Sequence, residues 1–253
     1  MDDQTYARYS AWDDENGLPP GSIEPEESKF RKSKMSYFTL FFLLIIWPAM
    51  SVITTGDPAE ALKLLSVSRI FFIYLPTIVV QWLLFGLICF TLNRERTGLK
   101  GIGFTGIRLI HFFWAIAFLL ISNLVLSLLA VLLEKFGIAI VGEIELMLPS
   151  TTPERIIWVI LSLTAGVCEE TAFRGYLITR LQIFGNTANW LIPSIIASIV
   201  FGMGHAYQGL GGFVLLTIYG GLFALLYWRT KSLWPPIIAH FFQDFSALFF
   251  PFQ

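Results

Sequence analysis

Apolar runs of about 20 residues recur along this chain, and each is long enough to cross a bilayer as a helix. Seven are read: Tyr37–Thr55, Ile70–Leu92, Phe112–Leu133, Ile156–Ile178, Ala188–His205, Leu210–Trp228 and Trp234–Phe252. Inside lipid a backbone must satisfy its own hydrogen bonds, and a helix does this within one segment. The expected fold class is therefore all-α, a polytopic transmembrane helix bundle with about seven spans. Charge supports the same reading: 14% of the 253 residues are charged and 55% are hydrophobic. A soluble domain carries about 25% charged residues. The net charge of −1 gives no sign of a nucleic-acid partner. Cys89 and Cys168 both lie in apolar runs and form neither a disulfide framework nor a zinc spacing.

Three regions follow from this pattern. Residues 1–36 read as a polar, disordered cytoplasmic tail, with acids and prolines and no apolar core of a signal peptide. Residues 37–150 hold the first membrane spans, and 151–253 hold the later ones. Lysine and arginine concentrate before span one (Lys29, Arg31, Lys32, Lys34) and between spans two and three (Arg94, Arg96, Lys100, Arg108). Arg180 lies between spans four and five, and Arg229 and Lys231 between six and seven. Glu143, Glu145 and Glu154 make the loop between three and four acidic. By the positive-inside rule the N-terminus is cytoplasmic and the C-terminus outside. The glycine-rich stretch 98–108 reads as a loop with a surface helix around Ile107.

An ionisable side chain inside a span costs at least about 2.5–3.5 kcal/mol and marks a functional site by default. Here such groups concentrate in three spans: Glu169, Glu170 and Arg174 in the fourth, His205 at the end of the fifth, His240 and Asp244 in the seventh. Glu170 and Arg174 are four apart with the acid first, the better order for an ion pair. Glu169 and Glu170 point about 100° apart on a helix, so both cannot face one site equally. The plain reading makes 169, 170 and 174 a structural pair plus a spare near the headgroups. It leaves Glu169 an unexplained charge. His205 could be a simple interhelical hydrogen-bond donor, and His240 with Asp244, four apart, a self-satisfied pair. The sharper reading gathers all of them at one cavity. A carboxylate beside an imidazole can activate water, and a facing imidazole can stabilise an oxyanion. The same residues could ligate a divalent metal such as zinc, although the His-Glu-x-x-His motif is absent. Cys168 and the glycines around spans five and six are read as packing, and His111 as interfacial.

The order of these motifs matters. Glu169-Glu170-x-x-x-Arg174, then Phe201-x-x-x-His205, then His240-x-x-x-Asp244 resembles the CPBP family, the CAAX-protease and bacteriocin-processing (Abi) intramembrane peptidases. Its relatives include the Ras-converting CAAX prenyl endopeptidase. The run from Arg229 to Pro235 resembles the family's approach to its third motif, and the likeness spans roughly 156–252. The resemblance implies that Glu169 and His205 activate the attacking water and that His240 and Asp244 form the oxyanion site. Glu170 and Arg174 would support them. In the prenyl-endopeptidase branch the last position is Asn, whereas here it is Asp244. An ionised Asp cannot donate a hydrogen bond. A metal-free glutamate peptidase and a metallopeptidase holding an ion on Glu169, His205, His240 and Asp244 therefore both remain open. The implied partners are membrane lipids and a peptide or prenylated peptide. Two other readings use the same residues: a non-enzymatic membrane immunity or scaffold factor, and a proton-coupled transporter, against which the lack of an inverted repeat counts.

Overall fold

The structure is a computed structural model that describes residues 30–54, 68–138 and 147–249. The tail up to residue 29, the acidic positions Glu143 and Glu145, and residues 250–253 lie outside the described residues. Those described fold into seven helical rods with no strand among them: α1 Lys34–Ser51, α2 Ile70–Arg94, α3 Leu109–Lys135, α4 Thr152–Phe184, α5 Leu191–Met203, α6 Gly209–Thr230 and α7 Trp234–Ser246. A short 3-10 turn, Ala206–Gln208, leads into α6. Counting that turn with α6, five rods are long and apolar enough to cross a membrane (α1, α2, α3, α4 and α6), while α5 is a shorter apolar helix. Their outer faces are apolar, with Leu83, Phe113, Leu120 and Leu124 all exposed.

The rods alternate in direction. Thr39 of α1 bonds Thr91 of α2 at 2.8 Å, so the start of α1 meets the end of α2. Arg69 meets Glu154 at the starts of α2 and α4, and Glu95 meets Arg180 at their ends, so these two run parallel. α7 runs antiparallel to α4: Trp158 Nε1 donates to the Asp244 carbonyl at one end, and Gly166 faces Ile237 and Phe241 nearer the other. A Cβ on Gly166 would sit 2.9 Å from the Ile237 carbonyl oxygen. Glycine is therefore what lets these two backbones approach.

Local sequence signals explain the main boundaries. Thr151 caps α4, accepting from the Glu154 amide, and Pro153 occupies the first turn, where its missing N–H is harmless. Glu154 is thus an N-terminal helix residue, not a loop acid; it is buried and paired with Arg69 at 3.2 Å. Between α2 and α3 the expected surface helix at Ile107 is absent. A 3-10 turn forms instead at Leu99–Ile102 and stops at Gly103, whose φ of +99° suits glycine. The Gly103 carbonyl accepts from Leu233 N, and Trp234 Nε1 donates to the Thr105 carbonyl at 2.6 Å. This loop therefore anchors the start of α7. His111 stands at the start of α3, where its Nδ1 accepts the Arg108 amide.

Two span boundaries differ from expectation. α4 runs past Ile178 to Phe184, and α5 starts at Leu191 and ends at Met203. His205 therefore lies beyond the helix, in the turn toward α6. Thirteen residues rise about 20 Å, short of the roughly 30 Å hydrocarbon thickness. Depth counted over a full span puts His205 at the far face; the shorter helix brings it back toward the level of mid-α4.

Candidate active site

The site sits where α4 meets α7. From Glu170 to Leu177, α4 widens into a π-helix, while the residues before and after are α-helical. Such wide turns are rare and recur at functional sites. Every residue of the widened segment is buried.

His240, in the second turn of α7, lies between the two neighbouring glutamates of α4. Its Nδ1 is 2.8 Å from Glu170 Oε1, and its Nε2 is 3.9 Å from Glu169 Oε2. The two carboxylates do face one site. The imidazole presents a nitrogen to each, and long glutamate side chains span the angle that the backbone imposes. Asp244 Oδ2 is 3.6 Å from the same Nε2. His240 is 6% exposed and Glu169 is 7% exposed, while Asp244 is only half-buried.

Glu170 is fully buried and takes two donors on one oxygen: Arg174 NH1 at 2.9 Å and His240 Nδ1. The Arg174 guanidinium lies against the rings of Phe201 (4.4 Å) and Phe223 (4.9 Å), and its NH2 donates to the Gly220 carbonyl. Phe223 also stacks on His240, with 5.4 Å between centroids. Glu170 and Arg174 therefore form a buried, aromatic-walled ion pair that orients His240 from behind.

Glu169 is held differently. Gln81 of α2 donates from Nε2 to Glu169 Oε1 at 2.6 Å. Among the described residues Glu169 Oε2 has no hydrogen-bond partner, and neither has Glu170 Oε2. Gln81 was missed in the sequence because it is a single uncharged polar residue in a long apolar run. The only available signal was a polar side chain at the middle of a span.

His205 stands apart from this cluster. No hydrogen bond or ion pair joins it to Glu169, Glu170, His240 or Asp244 among the described residues. Its Nδ1 lies 2.9 Å from the Phe201 carbonyl, and its ring packs on Phe201, 4.8 Å between centroids. Phe201 in turn packs on His240 at 6.4 Å. A carbonyl only accepts, so the contact puts the proton on Nδ1 and leaves Nε2 as the acceptor. Tyr207 neighbours the His205 ring at 6.0 Å.

Of the four candidate metal ligands, Glu169 and Asp244 lie near His240 Nε2 and His205 stands apart. Among the described residues, no group of three or more His, Cys, Asp or Glu side chains is placed to hold an ion. Each histidine has its Nδ1 engaged, His240 on Glu170 and His205 on Phe201, so either could ligate an ion only through Nε2. Cys168, fully buried, packs behind Glu169.

A second buried polar cluster lies nearer the end of α4. Arg180 Nε donates to Glu95 Oε2 at 2.9 Å, Tyr176 donates to Glu95 Oε1, and Arg180 also reaches Thr97 and Thr179. Arg180 is thus a buried partner of Glu95, not the exposed loop charge its position implied. All these groups are paired, so the cluster reads as a clamp between α2 and α4.

Residues 151–246 match the family model described as type II CAAX prenyl endopeptidase Rce1-like. The Bacillus subtilis (strain 168) protein named "Putative membrane peptidase YdiL" is 34% identical over 86 residues. That match covers 34% of this chain and 33% of the relative, so it spans about a third of that protein's length. No solved structure matches.

Proposed function

We propose that this chain is a CPBP-family membrane protein and an intramembrane endopeptidase, a reading supported by the likeness of residues 151–246 to the CAAX prenyl endopeptidase model and to a membrane peptidase. The substrate is a peptide bond in a membrane-associated or lipid-anchored peptide, with a prenylated C-terminus as the favoured class. The observation that carries the reading is the placement of His240 between two buried carboxylates, of which Glu169 is the one not fully closed off and keeps Oε2 free of any hydrogen bond among the described residues.

The chemistry follows from which atoms are occupied. Glu169 Oε2, the unpaired oxygen on the carboxylate that is not fully buried, takes a proton from the attacking water. His205, with its proton on Nδ1, turns Nε2 toward the same water and completes its orientation. The hydroxyl oxygen adds to the scissile carbonyl carbon, and the carbonyl π electrons move onto oxygen. His240, carrying a proton on Nε2, donates to that oxyanion. Glu170 and Arg174 hold the imidazole for the task. Collapse of the tetrahedral species expels the amine, which takes the proton from Glu169. Asp244, ionised, orients His240 through the 3.6 Å approach; protonated, it donates beside it.

Comparison of peptide termini tests this reading. Membranes and medium of cells carrying the native protein or Glu169→Gln at matched expression are compared by terminal-peptide mass spectrometry. Termini present only with the native protein are the expected result. Identical profiles, with Glu169→Gln still supporting the cell's phenotype, would overturn the peptidase reading in favour of a scaffold or immunity role.

A further inference from the structure

We infer that Gln81 is a positioning residue for Glu169, supplied by a helix outside the matched region 151–246; the inference rests on the peptidase reading. Gln81 is 4% exposed and stands in the middle of α2. Its amide contacts Glu169 Oε1 at 2.6 Å. Only a donor fits there: turned over, the amide would set oxygen against oxygen at the same distance, so Nε2 faces the carboxylate.

The consequence is a division of labour between the two oxygens of Glu169. Oε1 is occupied by the Gln81 N–H, and Oε2 is left without a hydrogen bond beside His240. The carboxylate then cannot rotate to offer either oxygen at random. The oxygen that receives the proton from water is fixed in place before the substrate arrives, which is how catalysis gains from orientation. Gln81 Oε1 is itself buried with no hydrogen-bond partner. A glutamine retained only to pair two helices would be expected to use both ends of its amide. Here one end is spent on a single carboxylate oxygen. Helix α2 is thus a component of the active site, and the four helices within 151–246 do not complete it alone.

The test uses the full-length protein in detergent or nanodiscs. The probe is a fluorogenic peptide built on a terminus that native protein generates and Glu169→Gln does not. Gln81→Leu removes the donor and suits an apolar helix; Gln81→Met removes the donor and keeps the side-chain length. Both variants should lower kcat by about 10²-fold, the scale of a misplaced catalytic group, with KM within about twofold and a native-like unfolding temperature. A kcat within about threefold of native in either folded variant overturns the inference. A rise in KM with kcat retained overturns it too, since that would mark a substrate contact. If one variant does not fold, the other decides. If both unfold, Gln81 is structural and the inference fails. If Glu169→Gln generates the same termini as native protein, the peptidase reading falls first and this inference falls with it.

Discussion

At the residue scale, the buried Glu170–Arg174 pair sets the strongest constraint. Each group is out of water, and each has the other as its main counter-charge. Removing one partner of such a pair costs about 3–5 kcal/mol, because the charge left behind is unsolvated. Arg174→Leu should therefore lower the unfolding temperature in detergent sharply. Adding Glu170→Gln to it should recover part of the loss. If the double variant is as unstable as the sum of the two single ones, the two side chains act independently and the pairing argument fails. These two residues were legible from the sequence through their four-residue spacing. So was His240, from its spacing to Asp244. The bridging role of His240 was not legible, because a helical wheel compares backbone directions and ignores the reach of a glutamate. Gln81 could not be found by searching for charge, since it has none.

At the element scale, the approach of α4 to α7 depends on Gly166. Gly166→Ala would place a methyl carbon 2.9 Å from the Ile237 carbonyl oxygen and 3.2 Å from Phe241 N, both backbone atoms. α7 must then move away, which costs about 1–3 kcal/mol. It also draws His240 away from Glu169 and Glu170. Gly166→Ala should reduce cleavage of the peptide probe by about 10²-fold, as expected when a catalytic group is displaced by about 1 Å. Gly86→Ala, which meets nothing within 4 Å, should leave it unchanged. Equal activity in both variants would show that the α4–α7 approach is not what sets the site. The long apolar helices were legible because hydrophobic length is a strong signal. The π-helix over Glu170–Leu177 was not, because nothing in the residue types there distinguishes it from an α-helix. The short α5 was misjudged at both ends: the span was started at Ala188, and Gly202 and Gly204, which mark its stop, were read as packing glycines.

At the scale of the whole molecule, the alternation of helix directions puts Lys34, Lys100, Arg229 and Lys231 at one end of the bundle and Ser150 at the other. From the excess of positive charge and the positive-inside rule we propose that the first end is cytoplasmic. With Cys89 and Cys168 replaced by alanine, Lys100→Cys should react with an impermeant thiol reagent only from the cytoplasmic side. Ser150→Cys should react only from the opposite side. The reverse pattern would invert the proposed orientation. The clamp of Glu95 and Arg180 lies toward the basic end, and the break after α5 lies deeper. That break bears on a reactant no side chain can replace. Hydrolysis inside a bilayer consumes a water molecule at each turnover, and hydrocarbon does not supply it. Irregular backbone at membrane depth persists only where protein or water satisfies it. The segment after Met203 carries His205, Tyr207 and Gln208, all at least partly exposed. A helix that stops short leaves polar, partly exposed side chains around His205, and under the proposed peptidase reading the supply of water becomes a property of helix length.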